Sequence, residues 1–212
     1  VSPAGARAAG KYGLSLLSIG ATTSGGFNAL ASNWAICEAK AREHGQVVNR
    51  ETWRLVGPVH IAETREQARD NVKFGLGAWL DYFRRVAALP LAPEGPIEDA
   101  VDAMIASGMA VIGTPDDAIA QIERLKEQSG GFGCFLQMAH EWADRAQTLH
   151  SYELFARYVM PHFQGSTEGT VGSRDWAAEN RSTFIGAAMQ AIMSQISKHA
   201  EEQQQKDLRK AG

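Results

Sequence analysis

Apolar residues in this chain follow two patterns, short continuous runs and longer segments with helical spacing. Three runs are short enough to be buried strands, at residues 14–19, 53–62 and 132–138. Around them, apolar positions recur every three or four residues, which indicates amphipathic helices. Strands that are apolar on both faces and separated by helices are typical of a parallel sheet covered by helices. The pattern therefore predicts an α/β fold.

Cap residues and spacing set the bounds of the predicted helices. Ser2-Pro3 places an N-cap before a proline at the first helical position, where its missing N–H costs nothing. Thr114-Pro115, followed by two aspartates, has the same form. We expect the helix near 143–159 to stop before Pro161, and the polar tail after His199 to fray. The helices are predicted at about 3–12, 27–44, 64–86, 97–107, 114–129 and 143–159, with a long final helix after a polar linker at 164–173.

The number of strands limits the architecture. The chain has 212 residues, and a complete eight-stranded α/β barrel takes about 250. Three strands cannot close such a barrel, so the missing strands must come from the same protein or from a partner. Because an intact domain rarely begins one residue before a helix cap, we expect further sequence upstream of Val1.

Composition excludes several classes of function. The formal net charge is −3, which gives no electrostatic footprint for nucleic acid. We find no basic amphipathic run, and no apolar run of the roughly 18 residues that suggest a membrane span. Cys37 and Cys134 lie in apolar stretches, which predicts reduced, packed thiols in a cytoplasmic protein. No histidine pair has metal-ligand spacing, so we predict no metal site.

The first helix begins with a motif that could bind an anion. A helix N-terminus offers unpaired N–H groups and partial positive charge to a phosphate. Ser2 could donate its hydroxyl, Arg7 could add charge, and Gly5 leaves room for a close ligand. By itself, this short motif is more typical of an ordinary N-cap than of a binding site.

Five segments, in order, resemble the bacterial luciferase-like flavin-dependent monooxygenase family, and most nearly its limonene monooxygenase-type group. They match the stretch after the fifth strand, the sixth strand, the end of the seventh strand, a Gly-Thr-Pro helix start and the last barrel helix. These segments are residues 1–13, 16–20, 59–64, 111–117 and 153–161. The resemblance implies that residues 1–165 form the C-terminal half of a (β/α)8 TIM-type barrel, with an insertion at 89–113. Residues 166–212 would form a linker and a C-terminal helical extension.

The resemblance also implies a reaction. The family uses reduced FMN, or FAD, and O2 to oxygenate a small apolar substrate, here a terpene-like one, with NAD(P)H acting directly or through a flavin reductase. The family's phosphate-cradling positions fall on four residues, Ser2, Ala4, Gly5 and Ala6. The catalytic residues are unknown and are expected upstream of Val1. The insertion could be a mobile cover that excludes water, or a surface loop with a short helix.

Polar residues at the end of the last strand are candidates for the substrate pocket, because barrel enzymes place their sites at the C-terminal ends of strands. They are Gln137, Met138 and His140. His140 could act as an acid/base group or orient a substrate, or it could cap a helix at Trp142. Gln137 could reach the flavin or satisfy backbone groups in the barrel mouth.

Two other functions remain open from the sequence. Relatives of the family use a deazaflavin for hydride transfer, and a half-barrel could also be a non-catalytic flavin-binding subunit. The final helix carries an apolar stripe that includes Trp176 and Phe184, which could dock on the barrel or on a second subunit. We expect a homo-oligomer, most simply a dimer.

Overall fold

Five parallel strands and the helices between them form the first of two compact units in a computed structural model of the chain. The model describes residues 2–166 and 168–211, and the side chains up to residue 209. The units are residues 1–163 and 164–212. The strands are β1 (Leu17–Ser18), β2 (Arg54–Gly57), β3 (Val59–Ile61), β4 (Val111–Gly113) and β5 (Cys134–Gln137). The helices are α1 (Pro3–Tyr12), α2 (Ser24–Asn28), α3 (Leu30–Glu43), α4 (Arg65–Val72), α5 (Leu76–Arg85), α6 (Ile97–Ala106), α7 (Pro115–Ser129), α8 (Arg145–Leu154), α9 (Met160–Gln164), α10 (Glu168–Glu179) and α11 (Arg181–Ala211).

Pro58 divides the strands into two sheets. β1, β2 and β5 pair in parallel in the order β1-β2-β5, and β3 pairs in parallel with β4. Proline has no N–H for a ladder, so the strand predicted at 53–62 is interrupted there. The Pro58 carbonyl still accepts a bond from the Val111 N–H at 3.1 Å. β4 was not predicted, because three residues between a glycine-ended helix and a helix cap carry too little pattern. The α/β fold class is confirmed.

The inner face of the three-stranded sheet is open in this chain. Leu17, Ile19 and Leu136 are exposed, although both faces of the strands were predicted to be buried. A sheet of three strands cannot curve round to cover itself, so these side chains have no opposite wall. Cys134 lies on β5 with its side chain exposed, which corrects the prediction of a packed thiol, whereas Cys37 is buried as expected.

Helices α1 and α3 cover the outer face of this sheet at very short range. Trp34 on α3 stacks on Trp53, with ring centroids 5.2 Å apart, and both rings are buried. A Cβ added at Gly10 on α1 would overlap the carbonyl oxygen of Cys37 and lie 2.8 Å from the Cβ of Lys40. Only glycine allows the two helix backbones to approach this closely.

We therefore expect Gly10→Ala to lower the free energy of unfolding of the first unit by about 1–3 kcal/mol, the usual cost of overpacking. Chemical denaturation would measure it. Gly5→Ala in the same helix is the matched control, because a Cβ there meets no heavy atom within 4 Å. It should leave stability unchanged or raise it slightly. Equal effects of the two changes would show that the approach of α1 to α3 does not depend on Gly10.

Two helix predictions were wrong. The helix predicted at 64–86 breaks into α4 and α5 at Gly75, where a Cβ would overlap the Glu141 carbonyl and the N–H donates to the Trp142 carbonyl at 2.9 Å. The helix near 143–159 does not stop before Pro161. A π-helical turn at Phe155–Val159 leads directly into α9. The predicted insertion at 89–113 contains α6, as expected, and ends in β4.

The second unit is helical from Glu168 onward. α10 replaces more than half of the predicted linker at 164–173, of which Thr167 lies outside the described residues. α11 continues to Ala211, so the tail after His199 is helical. Trp176 and Phe184 pack together with ring centroids 5.4 Å apart, and the apolar stripe of α11 is exposed. Within the described residues, no helix combines the length and apolar character that crossing a membrane requires.

Candidate functional site

The start of α1 has the geometry of a free helix N-terminus. Ser2 is extended, at φ −73° and ψ 138°, and its Oγ accepts a bond from the Ala4 N–H at 3.3 Å. Pro3 occupies the first helical position, and the first turn contains no acidic residue. The N–H groups of this turn have no partner within the helix, and the helix dipole places partial positive charge there. The end of the helix therefore attracts an anion, and no carboxylate in that turn competes.

A cavity of about 220 Å³ lies beside this helix start. Of the four residues predicted to cradle a phosphate, three line this cavity, Ser2, Gly5 and Ala6, and Ala4 does not. Nothing occupies the space within 4 Å of a Cβ at Gly5, whereas Ala6 is buried. Arg7 is exposed and lies outside the cavity lining. The site therefore offers backbone donors and open space rather than a basic side chain. Val1, the first residue of the resembling segment, lies outside the described residues.

The remaining lining of this cavity was not predicted from the sequence. It includes Ser18 at the end of β1 and Asn33 on α3, whose amide could donate to an anion. The turn between β1 and α2 holds the wall in place: Thr23 donates to the Gly20 carbonyl at 2.8 Å and accepts from the Gly26 N–H at 3.2 Å. The only signal in the sequence was the density of glycine between residues 20 and 26, which indicated a turn but not its neighbours.

The three predicted pocket residues lie in a segment tied to the break between β2 and β3. The Met138 N–H donates to the Gly57 carbonyl at 3.0 Å, and the His140 ring donates from Nε2 to the Val59 carbonyl at 3.1 Å. Gln137 ends β5, and its Oε1 is buried without a hydrogen-bond partner in the described part of the chain. A buried acceptor without a donor is costly, so Gln137 is poised for a partner.

His140 is a neutral, partly buried imidazole. Its ring stacks on Trp142, with centroids 3.9 Å apart and planes 17° apart. Burial lowers the pKa of His140 to about 4. Since a carbonyl can only accept, the bond to Val59 places the proton on Nε2. His140 does not cap a helix, because α8 begins at Arg145 with Asp144 as its N-cap.

A second buried histidine, His60 on β3, lies close enough to interact with His140. Burial, together with the nearby His140, lowers the pKa of His60 to about 4. Its Nε2 accepts from the Asn71 side chain at 3.2 Å. No pattern in the sequence places His60 near His140. The two residues are 80 positions apart, and only the fold brings them together.

The two groups of predicted residues are linked through the strand ends. Ala21 lines the cavity at α1, and the next residue, Thr22, is buried against Gly57. A Cβ at Gly57 would lie 2.7 Å from Thr22 Cγ2. Gly57 in turn accepts the bond from Met138. One chain of contacts at the C-terminal ends of β1, β2 and β5 thus leads from the cavity toward the segment of Gln137 and His140.

Comparison with known proteins identifies relatives of this chain, although no family profile matches it. Limonene 1,2-monooxygenase of Rhodococcus erythropolis is 47% identical over 166 residues, covering 78% of this chain and 42% of the relative. The 4-hydroxyprotoasukamycin monooxygenase of Streptomyces nodosus subsp. asukaensis is 37% identical over 194 residues, covering 89% and 52%. Because 194 residues exceed the 163 of the first unit, this similarity extends into the second unit.

Two solved structures share the fold. One is the oxygenating constituent of 3,6-diketocamphane monooxygenase of Pseudomonas putida, a type II Baeyer-Villiger monooxygenase in complex with FMN, with a TM-score of 0.51 and 21% identity. The match covers 74% of this chain and 44% of the chain of that enzyme. The other is the monooxygenase RslO1 of Streptomyces bottropensis, with a TM-score of 0.56, 20% identity, and coverage of 76% and 46%. The chain thus spans about half the length of the relatives it matches.

The order of parallel strands and helices fits a part of the barrel found in these enzymes, and the partial fold predicted from the sequence is confirmed. This similarity of sequence and fold confirms the resemblance to the bacterial luciferase-like family of flavin-dependent monooxygenases that the sequence motifs indicated.

Proposed function

We propose that the protein containing this chain is a flavin-dependent monooxygenase that uses reduced FMN and O2 to oxygenate a small apolar substrate, terpene-like in character. NAD(P)H would reduce the flavin directly or through a reductase. The observation that carries the proposal is the cavity at the start of α1, in a chain 47% identical to a limonene monooxygenase.

The residues at α1 fit the phosphate of FMN. The first turn of α1 borders a cavity that is open at Gly5, and the turn lacks a carboxylate that would repel a dianion. Ser2 would exchange its bond to Ala4, which is long at 3.3 Å, for one to phosphate oxygen. The amide of Asn33, which also lines the cavity, would donate to the phosphate. When bound, reduced flavin would supply the electrons and the centre at which O2 is activated.

The strand-end segment would orient the substrate side of the site. His140 cannot act as a strong base near neutral pH, because burial lowers its pKa to about 4 and its Nε2–H is bonded to Val59. Its role would be to fix the segment that carries Gln137 and Met138. Gln137 would then present an unpaired acceptor, and Met138 an adaptable apolar surface. An oxygenation needs such apolar walls because they keep water from the reacting centre.

The decisive experiment is reconstitution of the protein at its natural length with reduced FMN. We expect FMN to bind with quenching of its fluorescence, and O2 uptake with NAD(P)H to depend on an apolar substrate such as a monoterpene. Titration with a deazaflavin provides the comparison. Tighter binding of the deazaflavin, with no O2 uptake, would replace oxygenation by hydride transfer as the reaction. Absence of binding for both cofactors would contradict the assignment of the cavity.

A further inference from the structure

A second cavity, of about 330 Å³, lies between α4, α6, α7 and β4. It shares no lining residue with the cavity at α1. Three arginines, Arg65, Arg69 and Arg124, line it, and among the residues that the structure describes Asp117 is its single carboxylate. We call it the arginine groove. Among the lining side chains alone, the positive charges exceed the negative charges by two.

Arg65 neutralises Asp117. Its Nε and Nη2 donate to the two carboxylate oxygens at 3.0 and 2.7 Å, the bidentate geometry that arginine and carboxylate favour. The backbone N–H and hydroxyl of Thr114 also donate to Asp117. The bond from Arg65, together with those from Thr114, holds the pKa of Asp117 below its usual range. The charge of Asp117 is therefore compensated locally, and the positive excess of the groove belongs to Arg69 and Arg124.

Arg124 has no acidic partner among the described residues. Its Nε donates to Gln121 at 3.1 Å and its Nη2 to the Gly108 carbonyl at 2.9 Å, and the guanidinium lies 4.2 Å from the centre of the Phe27 ring. These partners are all neutral. Burial lowers the pKa of the Arg124 guanidinium, which shows that its charge is partly desolvated. A partly buried cation that contacts only neutral groups is stabilised when an anion arrives.

Arg69 is able to turn toward such an anion. It pairs with Asp102 at 2.6 Å, but both side chains are well exposed, at 39% and 62%. An ion pair of this kind contributes little to stability, so exchanging it costs little. Asp102 lies outside the lining of the groove.

We propose that the arginine groove binds a phosphate group, free or as a monoester, through Arg69 and Arg124. Planar guanidinium groups match the spacing of phosphate oxygens, which makes arginine the favoured residue for this contact. The groove is larger than a bare phosphate requires, and apolar residues such as Ile105 and Val111 line the rest of it. An organic part of a phosphate monoester has room there. This site goes beyond the proposed function and does not depend on it.

The test is calorimetric titration of the natural-length protein with inorganic phosphate and with ribose 5-phosphate, at constant ionic strength set with chloride. Arg69→Gln and Arg124→Gln should each weaken binding about tenfold or more, the value of a charge-assisted hydrogen bond. Arg85→Gln is the matched control, because Arg85 is exposed, pairs with Asp81 and lies outside the groove. It should change affinity by less than about twofold.

Two further variants keep the result interpretable. Gly5→Glu, which alters only the cavity at α1, should leave phosphate binding in the groove intact. Arg124→Lys retains the charge if Arg124→Gln loses stability. Tighter binding of ribose 5-phosphate than of phosphate, with dependence on Arg69, identifies a monoester site, and equal affinities identify a site for free phosphate. Unchanged binding in both Arg69→Gln and Arg124→Gln, or no binding to wild type, overturns the proposal.

Discussion

Replacing Gly5 with glutamate is expected to weaken FMN binding by about a hundredfold or more. The new carboxylate would lie in the first turn of α1, where the proposed phosphate site has open space. Two unit charges about 4 Å apart near a protein surface repel by about 4 kcal/mol, and the phosphate carries close to two charges. Flavin fluorescence titration measures the loss directly, without any need for turnover.

The same change should leave the fold intact. A carboxylate in the first turn of a helix interacts favourably with the helix dipole, and a Cβ at Gly5 meets no neighbour. Gly172→Glu in α10 is the matched control, since a Cβ there also meets no atom within 4 Å and the helix belongs to the second unit. If Gly5→Glu bound FMN as tightly as this control, the phosphate would have to lie elsewhere.

The second large effect is a loss of folding stability in acid. When the pH is lowered from 7 to 5, we expect the free energy of unfolding to fall by about 2 kcal/mol for each of His60 and His140. The pKa of both is lowered to about 4 in the folded chain, whereas an unfolded histidine titrates near 6.5. Between these values the unfolded chain binds more protons. Lowering the pH from 6.5 toward 4 therefore favours unfolding, and the full stability is present above pH 6.5.

Urea denaturation at several pH values measures this dependence. His140→Gln retains a donor for the Val59 carbonyl but cannot titrate, so its stability should fall less steeply with acid than that of the wild type. His199→Gln on the exposed face of α11 is the control and should reproduce the wild-type slope. Because carboxylates titrate in all three proteins, the difference in slope isolates the buried ring. Parallel profiles for His140→Gln and wild type would contradict the depressed pKa.

Local chemistry made much of the fold predictable. Ser2-Pro3 and Thr114-Pro115 fixed two helix starts, because N-capping depends on neighbouring residues alone. Contacts between distant segments were not predictable. The break at Gly75 arises from a close approach to Glu141, and no pattern within residues 64–86 indicates it. The strand at Val111–Gly113 likewise exists through its pairing with β3.

In the candidate site, too, residues of one contiguous motif were predictable, and residues brought together by the fold were not. Ser2, Gly5 and Ala6 were predicted, because one contiguous motif carries them and the family resemblance gave that motif a ligand. Asn33 was missed, because its place opposite α1 depends on how α3 packs. The proximity of His60 and His140 was missed for a similar reason, since it depends on how the segment after β5 packs against β3.

The number of residues in the π-helical turn at Phe155–Val159 determines which way the side chains after it face. In a regular helix, successive side chains are rotated by about 100° about the helix axis. A π-helical turn contains one extra residue, so every side chain after it is rotated by that angle. With that phase, Phe163 packs against the core. Deleting one residue from the turn would yield a smoother helix, yet it would rotate Phe163 away from the core. The irregular turn therefore aligns the helix that closes the first unit.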